Sequence, residues 1–121
     1  MDFDFMAFVK EKRLDLMKVA ESFGYEPLGD IVVILPDAAD RVSRGGIILA
    51  DVNMKAEPQR GFVIAVGKGK VDEDGNRFPM YVKPGDIVLF NRYEKSEILV
   101  DDKKYTQIGQ RAIYGIFKEG A

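Results

Sequence analysis

The chain has 121 residues, 46% hydrophobic and 31% charged, which is enough for one domain with a modest core and argues against wholesale disorder. Its net charge of -2 argues against a protein built to neutralise phosphates. It contains no cysteine and no histidine, which excludes disulfides, thiolate zinc sites and thiol nucleophiles and removes the commonest general base and metal ligand. No apolar run approaches the roughly 20 residues of a membrane span. Asp2, Asp4, Glu11, Asp15 and Glu21 suit neither a secretory signal nor a transit peptide, so the expected location is the cytoplasm.

Residues 5 to 23 read as a helix, with Phe5, Val9, Leu16, Ala20 and Phe23 at helical spacing, Lys12 interrupting that face, and Gly24 as the stop. Two readings stay open: a helix packed on the body of the domain, or a docking or oligomerisation arm. After Pro27 the chain turns to β. Ile31-Val32-Val33-Ile34-Leu35 is a β-branched run ended by Pro36, and Phe62-Val63-Ile64-Ala65-Val66 is a second, closed by Gly67-Lys68-Gly69. The stretch Val71 to Val82 contains Asp74-Gly75, a strong hairpin signal. Lys83-Pro84-Gly85-Asp86 is a turn into Ile87-Val88-Leu89-Phe90. Ser96 to Val100 and Lys104 to Ile108 flank a second hairpin at Asp101-Asp102-Lys103, and Ala112 to Phe117 closes the chain. Many short strands with turn signals between them predict a small β-barrel.

Three motifs have plainer explanations than chemistry. Gly67-Lys68-Gly69-Lys70 lacks the third glycine of a dinucleotide fingerprint, because Asp72 stands there, and no helix follows; it reads as a tight turn. Asp72-Glu73-Asp74-Gly75 starts like a calcium loop but has Lys83 where the bidentate glutamate belongs. Asp101-Asp102 is explained by turn chemistry rather than by paired carboxylates.

The stretch from Pro36 to Gln59, about 24 residues, separates two of the clearest strands. A loop of this length in a small domain is usually functional or disordered. At its middle stands Gly45-Gly46-Ile47-Ile48-Leu49, which local pattern alone reads equally well as a core hairpin strand. Its charged, glycine-containing flanks favour a segment that meets a partner.

Four stretches together resemble the GroES-type co-chaperonins, the lids of the barrel-shaped chaperonins. Pro27-Leu28-Gly29-Asp30-Ile31-Val32-Val33 is similar to the family's opening strand, and Gly45-Gly46-Ile47-Ile48-Leu49 to its mobile loop. Arg60 to Gly69 is similar to the strand and turn after the loop, and Val82 to Phe90 to a further signature. The match runs from about Glu26 to Phe117 in the family's order. Each motif alone is weak; four in register are specific.

The resemblance implies a mainly β fold: a GroES-like Greek-key-type β-barrel over residues 26–121, with a long mobile loop at about 36–59 and a roof hairpin at about 70–82. An N-terminal α-helical extension occupies residues 1–25. It implies a non-enzymatic co-chaperonin that caps an ATP-driven, GroEL-type chaperonin and assists folding by encapsulation. Gly45, Gly46, Ile47, Ile48 and Leu49 would bind the chaperonin, and Tyr93 is a candidate to line the cavity. The implied partners are the chaperonin, further copies of this chain in a ring of seven, and non-native substrate proteins. No cofactor, metal, membrane or nucleic acid is implied.

The chain departs from the family in three places. The first 25 residues have no counterpart in a typical member; Asn91-Arg92-Tyr93-Glu94 lacks the glycine usually found near that tyrosine; and Ile31 replaces a basic residue. Such divergence suits a virus-encoded or organelle-specific version, and a viral one would act in the host cytoplasm. Two other classes fit the sequence less well. The GroES-like domain of zinc-dependent alcohol dehydrogenases ligates metal through Cys and His, which this chain lacks. A nucleic-acid-binding barrel of the OB type would use Lys68, Lys70, Arg77 and aromatic Phe78 or Tyr81, with Asp72, Glu73 and Asp74 crowding the same surface.

Overall fold

The computed structural model describes residues 5–37 and 58–118. Helix α1 spans Phe5–Glu21, and six strands follow: β1 Ile31–Pro36, β2 Pro58–Val66, β3 Ile87–Asn91, β4 Ser96–Val100, β5 Lys103–Gly109 and β6 Ile113–Phe117. All pair antiparallel in one sheet of order β4-β5-β1-β2-β3-β6. The fold is therefore mainly β with a preceding helix. Strands β1, β2 and β3 sit at the centre of the sheet, which is why their apolar residues run on continuously instead of alternating with polar ones.

Both faces of the sheet are covered, and each has its own core. On one face Val32, Ile34, Val63, Val82, Val88, Phe90, Ile108 and Ala112 form a buried cluster. On the other, Val33, Phe62, Ile64, Ile87 and Tyr105 are buried together with Phe5, Val9 and Leu16 of α1. Residues adjacent in sequence feed opposite clusters, as Val32 and Val33 do, because successive strand side chains point to opposite faces. Each such buried aliphatic or phenyl group contributes about 1.5–3 kcal/mol.

The helix is thus part of the core and not a projecting arm. Its predicted face is the buried one, with Ala20 and Phe23 packed at the cluster's margin. Lys12 is exposed, and the half-buried side chain at that level is Arg13. The Arg13 guanidinium lies 5.7 Å from the centre of the Phe62 ring, and Nη1 donates to the Gly85 carbonyl at 3.2 Å. Beyond the helix, Tyr25 donates its hydroxyl to Gln107 Oε1 at 3.0 Å, fastening the connection to β5.

The turns follow their residues. In Lys83-Pro84-Gly85-Asp86, proline precedes a glycine at φ 100°, and the Asp86 N–H donates to the Lys83 carbonyl at 3.1 Å, the pattern of a type II turn. Asp101 and Asp102 both take positive φ, 53° and 66°, between the paired Val100 and Lys103. A two-residue hairpin turn demands that conformation, and aspartate tolerates it better than most side chains.

About Asp74-Gly75 the chain doubles back in a short hairpin: Val71 bridges antiparallel to Arg77, and the Phe78 amide donates to the Lys70 carbonyl at 2.8 Å. The Asp72 carboxylate organises the tip, its Oδ1 accepting from the Asp74 and Asn76 amides at 2.9 and 2.8 Å. Beyond Phe78 the chain is held by a side chain instead of a strand: Gln110 Oε1 accepts from the Tyr81 amide at 2.6 Å.

Candidate functional site

The predicted docking residues Gly45, Gly46, Ile47, Ile48 and Leu49 lie outside the described residues; the root from which they extend is described in detail. The chain leaves β1 at Asp37 and re-enters β2 at Pro58, and these strands are neighbours with Pro36 opposite Gly61. The Asp37 amide donates to the Arg60 carbonyl at 2.8 Å, one step beyond the ladder. Arg60 Nη2 then bridges to Asp37 Oδ2 at 2.8 Å, and Gln59 Nε2 donates to the Asp37 carbonyl at 3.0 Å. On the far side, Arg92 Nη2 donates to the Pro58 carbonyl at 3.1 Å.

This root is a buried polar cluster inside an apolar fold. The Asp37 carboxylate is fully shielded, while Arg60 keeps about a third of its side chain in water, 29%. A shielded carboxylate is tolerable only because it is paired and hydrogen-bonded. Gly61 is the tight point: a Cβ there would run into Ile34 Cγ2 and Phe90 Cε1, so glycine lets β1 and β2 close up.

None of these root residues was expected from the sequence. The available signal was an acid directly after Pro36 and an arginine directly before Gly61, each just outside an apolar run. Their pairing spans 23 positions, which no local pattern reveals. Tyr93 stands close by, in a single 3-10 turn, Arg92–Glu94, that ends β3. The Asn91 side chain caps that turn by accepting from the Tyr93 amide at 3.0 Å, and the Tyr93 ring is exposed.

The other motifs are absorbed by structure. The amides of Gly67 and Gly69 donate to the carbonyls of Ile31 and Gly29, both at 2.9 Å, so the glycine-lysine turn has no phosphate cradle. Arg77, a candidate for the nucleic-acid reading, donates Nη1 to the Gly69 carbonyl at 2.9 Å. Among the described residues no group of three or more Asp or Glu is arranged to hold a metal ion, and no helix is long and apolar enough to cross a membrane.

A second surface feature lies beside the edge strand β6. An open, largely apolar cleft of about 430 Å³ is lined by Phe78, Met80, Tyr81, Ile113, Tyr114 and Ile116, among others. Tyr81 is 75% exposed and Tyr114 53%, which is uncommon for side chains of this size.

The sequence of this chain is similar to that of known proteins. The model of the chaperonin 10 Kd subunit family matches residues 24–117. The co-chaperonin GroES of Solidesulfovibrio magneticus is 42% identical over 93 residues, covering 77% of this chain and 96% of that protein. The co-chaperonin GroES of Thermus thermophilus is 42% identical over 93 residues, 77% and 91% of the two chains, and that of Brevibacillus choshinensis 43% over 91 residues, 75% and 96%. The matched stretch takes in all six strands and the root and leaves out α1, so the nucleic-acid-binding reading is not favoured. The chain belongs to the chaperonin 10 kDa subunit family and is a co-chaperonin, with a helix packed on its sheet ahead of the family's own domain.

Proposed function

We propose that copies of this chain, seven by the family resemblance, assemble into a ring that caps a GroEL-type chaperonin in the cytoplasm and closes a chamber around non-native proteins. Gly45-Gly46-Ile47-Ile48-Leu49 is the docking segment, and Tyr93 faces the enclosed space. ATP chemistry belongs to the chaperonin; this chain contributes no catalytic group. The observation that carries the reading is the root: twenty residues, 38–57, begin and end at adjacent, hydrogen-bonded points of β1 and β2. An aliphatic triplet is thereby attached to a rigid sheet at one place.

The magnitudes suit a lid that must come off. Burying Ile47, Ile48 and Leu49 contributes roughly 1.5–3 kcal/mol each, about 5–9 kcal/mol per copy. Fixing the backbone around them costs about 1–2 kcal/mol per residue. A single copy therefore binds weakly, and a ring gains by making every contact after the first intramolecular. Self-assembly has a candidate surface in β6, whose outer edge has no paired strand among the described residues and which carries exposed Tyr114, Ile116 and Phe117.

The test is Ile48→Asp, examined by native mass spectrometry alone and with a chaperonin plus ATP. The variant should keep its oligomeric state and β spectrum and lose the chaperonin complex. Normal capping by that variant would remove the docking assignment.

A further inference from the structure

The helix that lies outside the family match reaches the root of the docking segment through one side chain. Phe5, in the first turn of α1, is 2% exposed and packed into the helix-side core. The Arg60 guanidinium lies over its ring, 5.8 Å from the centroid. That same guanidinium makes the 2.8 Å bridge to the shielded Asp37 carboxylate, and the backbone of Arg60 accepts the Asp37 amide. Helix, Arg60 and Asp37 thus form one continuous chain of contacts that ends on both flanks of residues 38–57.

The ring matters because of what arginine is. Its long stem leaves the charged head free to follow water unless a surface fixes it. A ring face holds the planar head by cation–π attraction, leaving the fork aimed at the carboxylate. Without that face, Asp37 keeps its partner only part of the time, and the last rung joining β1 to β2 opens more often.

We propose that α1 is a brace for the root of the docking segment, with Phe5 as the positioning residue acting through Arg60. The proposal rests on the docking reading given above. It gives the extension a task in chaperonin engagement: holding the two ends of the segment together at the sheet.

Phe5→Leu tests it in the full chain, because leucine keeps the burial and removes the ring face. Leu16→Ala is the companion variant, loosening the helix without touching Arg60. Amide exchange is followed at Asp37 and, as the reference for the sheet, at Val32 and Ile34. In Phe5→Leu, exchange at Asp37 should quicken about two- to fivefold beyond any change at the reference amides. In Leu16→Ala the three should move together. Multiplied over the copies in a ring, this loss should weaken association with chaperonin plus ATP by tenfold or more. Exchange at Asp37 that merely tracks Val32 and Ile34 in Phe5→Leu would overturn the brace. So would selective opening at Asp37 with unchanged chaperonin association, in a preparation where Ile48→Asp abolishes it. Should Ile48→Asp bind normally, the docking reading falls and takes the brace's purpose with it.

Discussion

The ring of Phe23 meets that of Tyr105 edge to face, with centroids 4.9 Å apart and planes at 82°. This contact staples the end of the helical extension to β5, close to the Tyr25–Gln107 hydrogen bond. Phe23 is only partly buried, so Phe23→Ala should cost about 2 kcal/mol, below the range for a fully enclosed phenylalanine. Urea unfolding should show a lower midpoint with an unchanged slope, because the fold remains one cooperative unit. A midpoint equal to that of the parent would mean that the helix end is not fastened there.

Tyr105 itself supplies a pH dependence. Burial, and secondarily the negative charge of Asp101, push its hydroxyl above the ordinary value of 10.0. The unfolded chain then gives up this proton first as pH rises. Stability contributed by neutral Tyr105 is full below about pH 10 and is lost as pH climbs through the folded-state value. Tyr105→Phe should flatten that alkaline loss in thermal melts. Asp101→Asn should bring the tyrosine's ultraviolet titration to lower pH.

At the root, Arg60→Ala leaves Asp37 shielded and without this partner. Breaking such a pair costs about 3–5 kcal/mol, and the lower end is expected because Arg60 is partly solvated. Removing both members should cost less than the sum of the single losses, since the second change also removes the shielded carboxylate that the first deprived of Arg60. A double-mutant cycle measures the difference directly. Simple additivity would show the two residues to be energetically independent despite their 2.8 Å contact.

Gly61→Ala offers a sharp comparison with Gly24→Ala. A Cβ at Gly61 meets Ile34, Phe90 and the Leu35 carbonyl, whereas at Gly24 nothing lies within 4 Å. The first should cost about 1–3 kcal/mol as an overpacked core. The second should stay within about 0.5 kcal/mol. Melting temperatures of the two variants side by side decide it.

The spacing of Phe5, Val9, Leu16, Ala20 and Phe23 made the helix and its covered face legible, because helical periodicity is a local signal. Whether that face met the domain was not legible: its counterpart, Val33, Phe62, Ile64, Ile87 and Tyr105, is scattered over four strands. Asp101-Asp102 and Pro84-Gly85 announced their turns through side-chain chemistry. Local pattern starts β2 only at Phe62 and the family likeness only at Arg60, because Pro58-Gln59 has no strand-forming character. It is extended because Pro58, Gln59 and Arg60 pair with Asn91, Phe90 and Leu89, a constraint from far along the chain. Around Asp74-Gly75 the hairpin is short, one bridge long, because past Phe78 the chain is met by the Gln110 side chain instead of by a strand. The proposed docking residues, Gly45 to Leu49, come from family likeness alone, while the pairing of Asp37 with Arg60 beside them depends on a contact that only the folded chain makes.

The edge strand β6 carries the last prediction. Ile113, Tyr114, Gly115, Ile116 and Phe117 contain no charge, and natural edge strands that remain solvated usually carry one. On the inner side β6 pairs with β3, Ile116 opposite Val88. Ile116 is 41% exposed, so Ile116→Lys leaves the lysine head free to reach water and should change protomer stability by no more than about 1 kcal/mol. Placed at an interface between copies, the same charge would be desolvated without a partner and should dissociate the assembly. Native mass spectrometry should then find monomer for the variant under conditions where the parent protein gives the proposed ring, with an unchanged β spectrum. A full ring of the Ile116→Lys variant would mean that the copies meet through another surface.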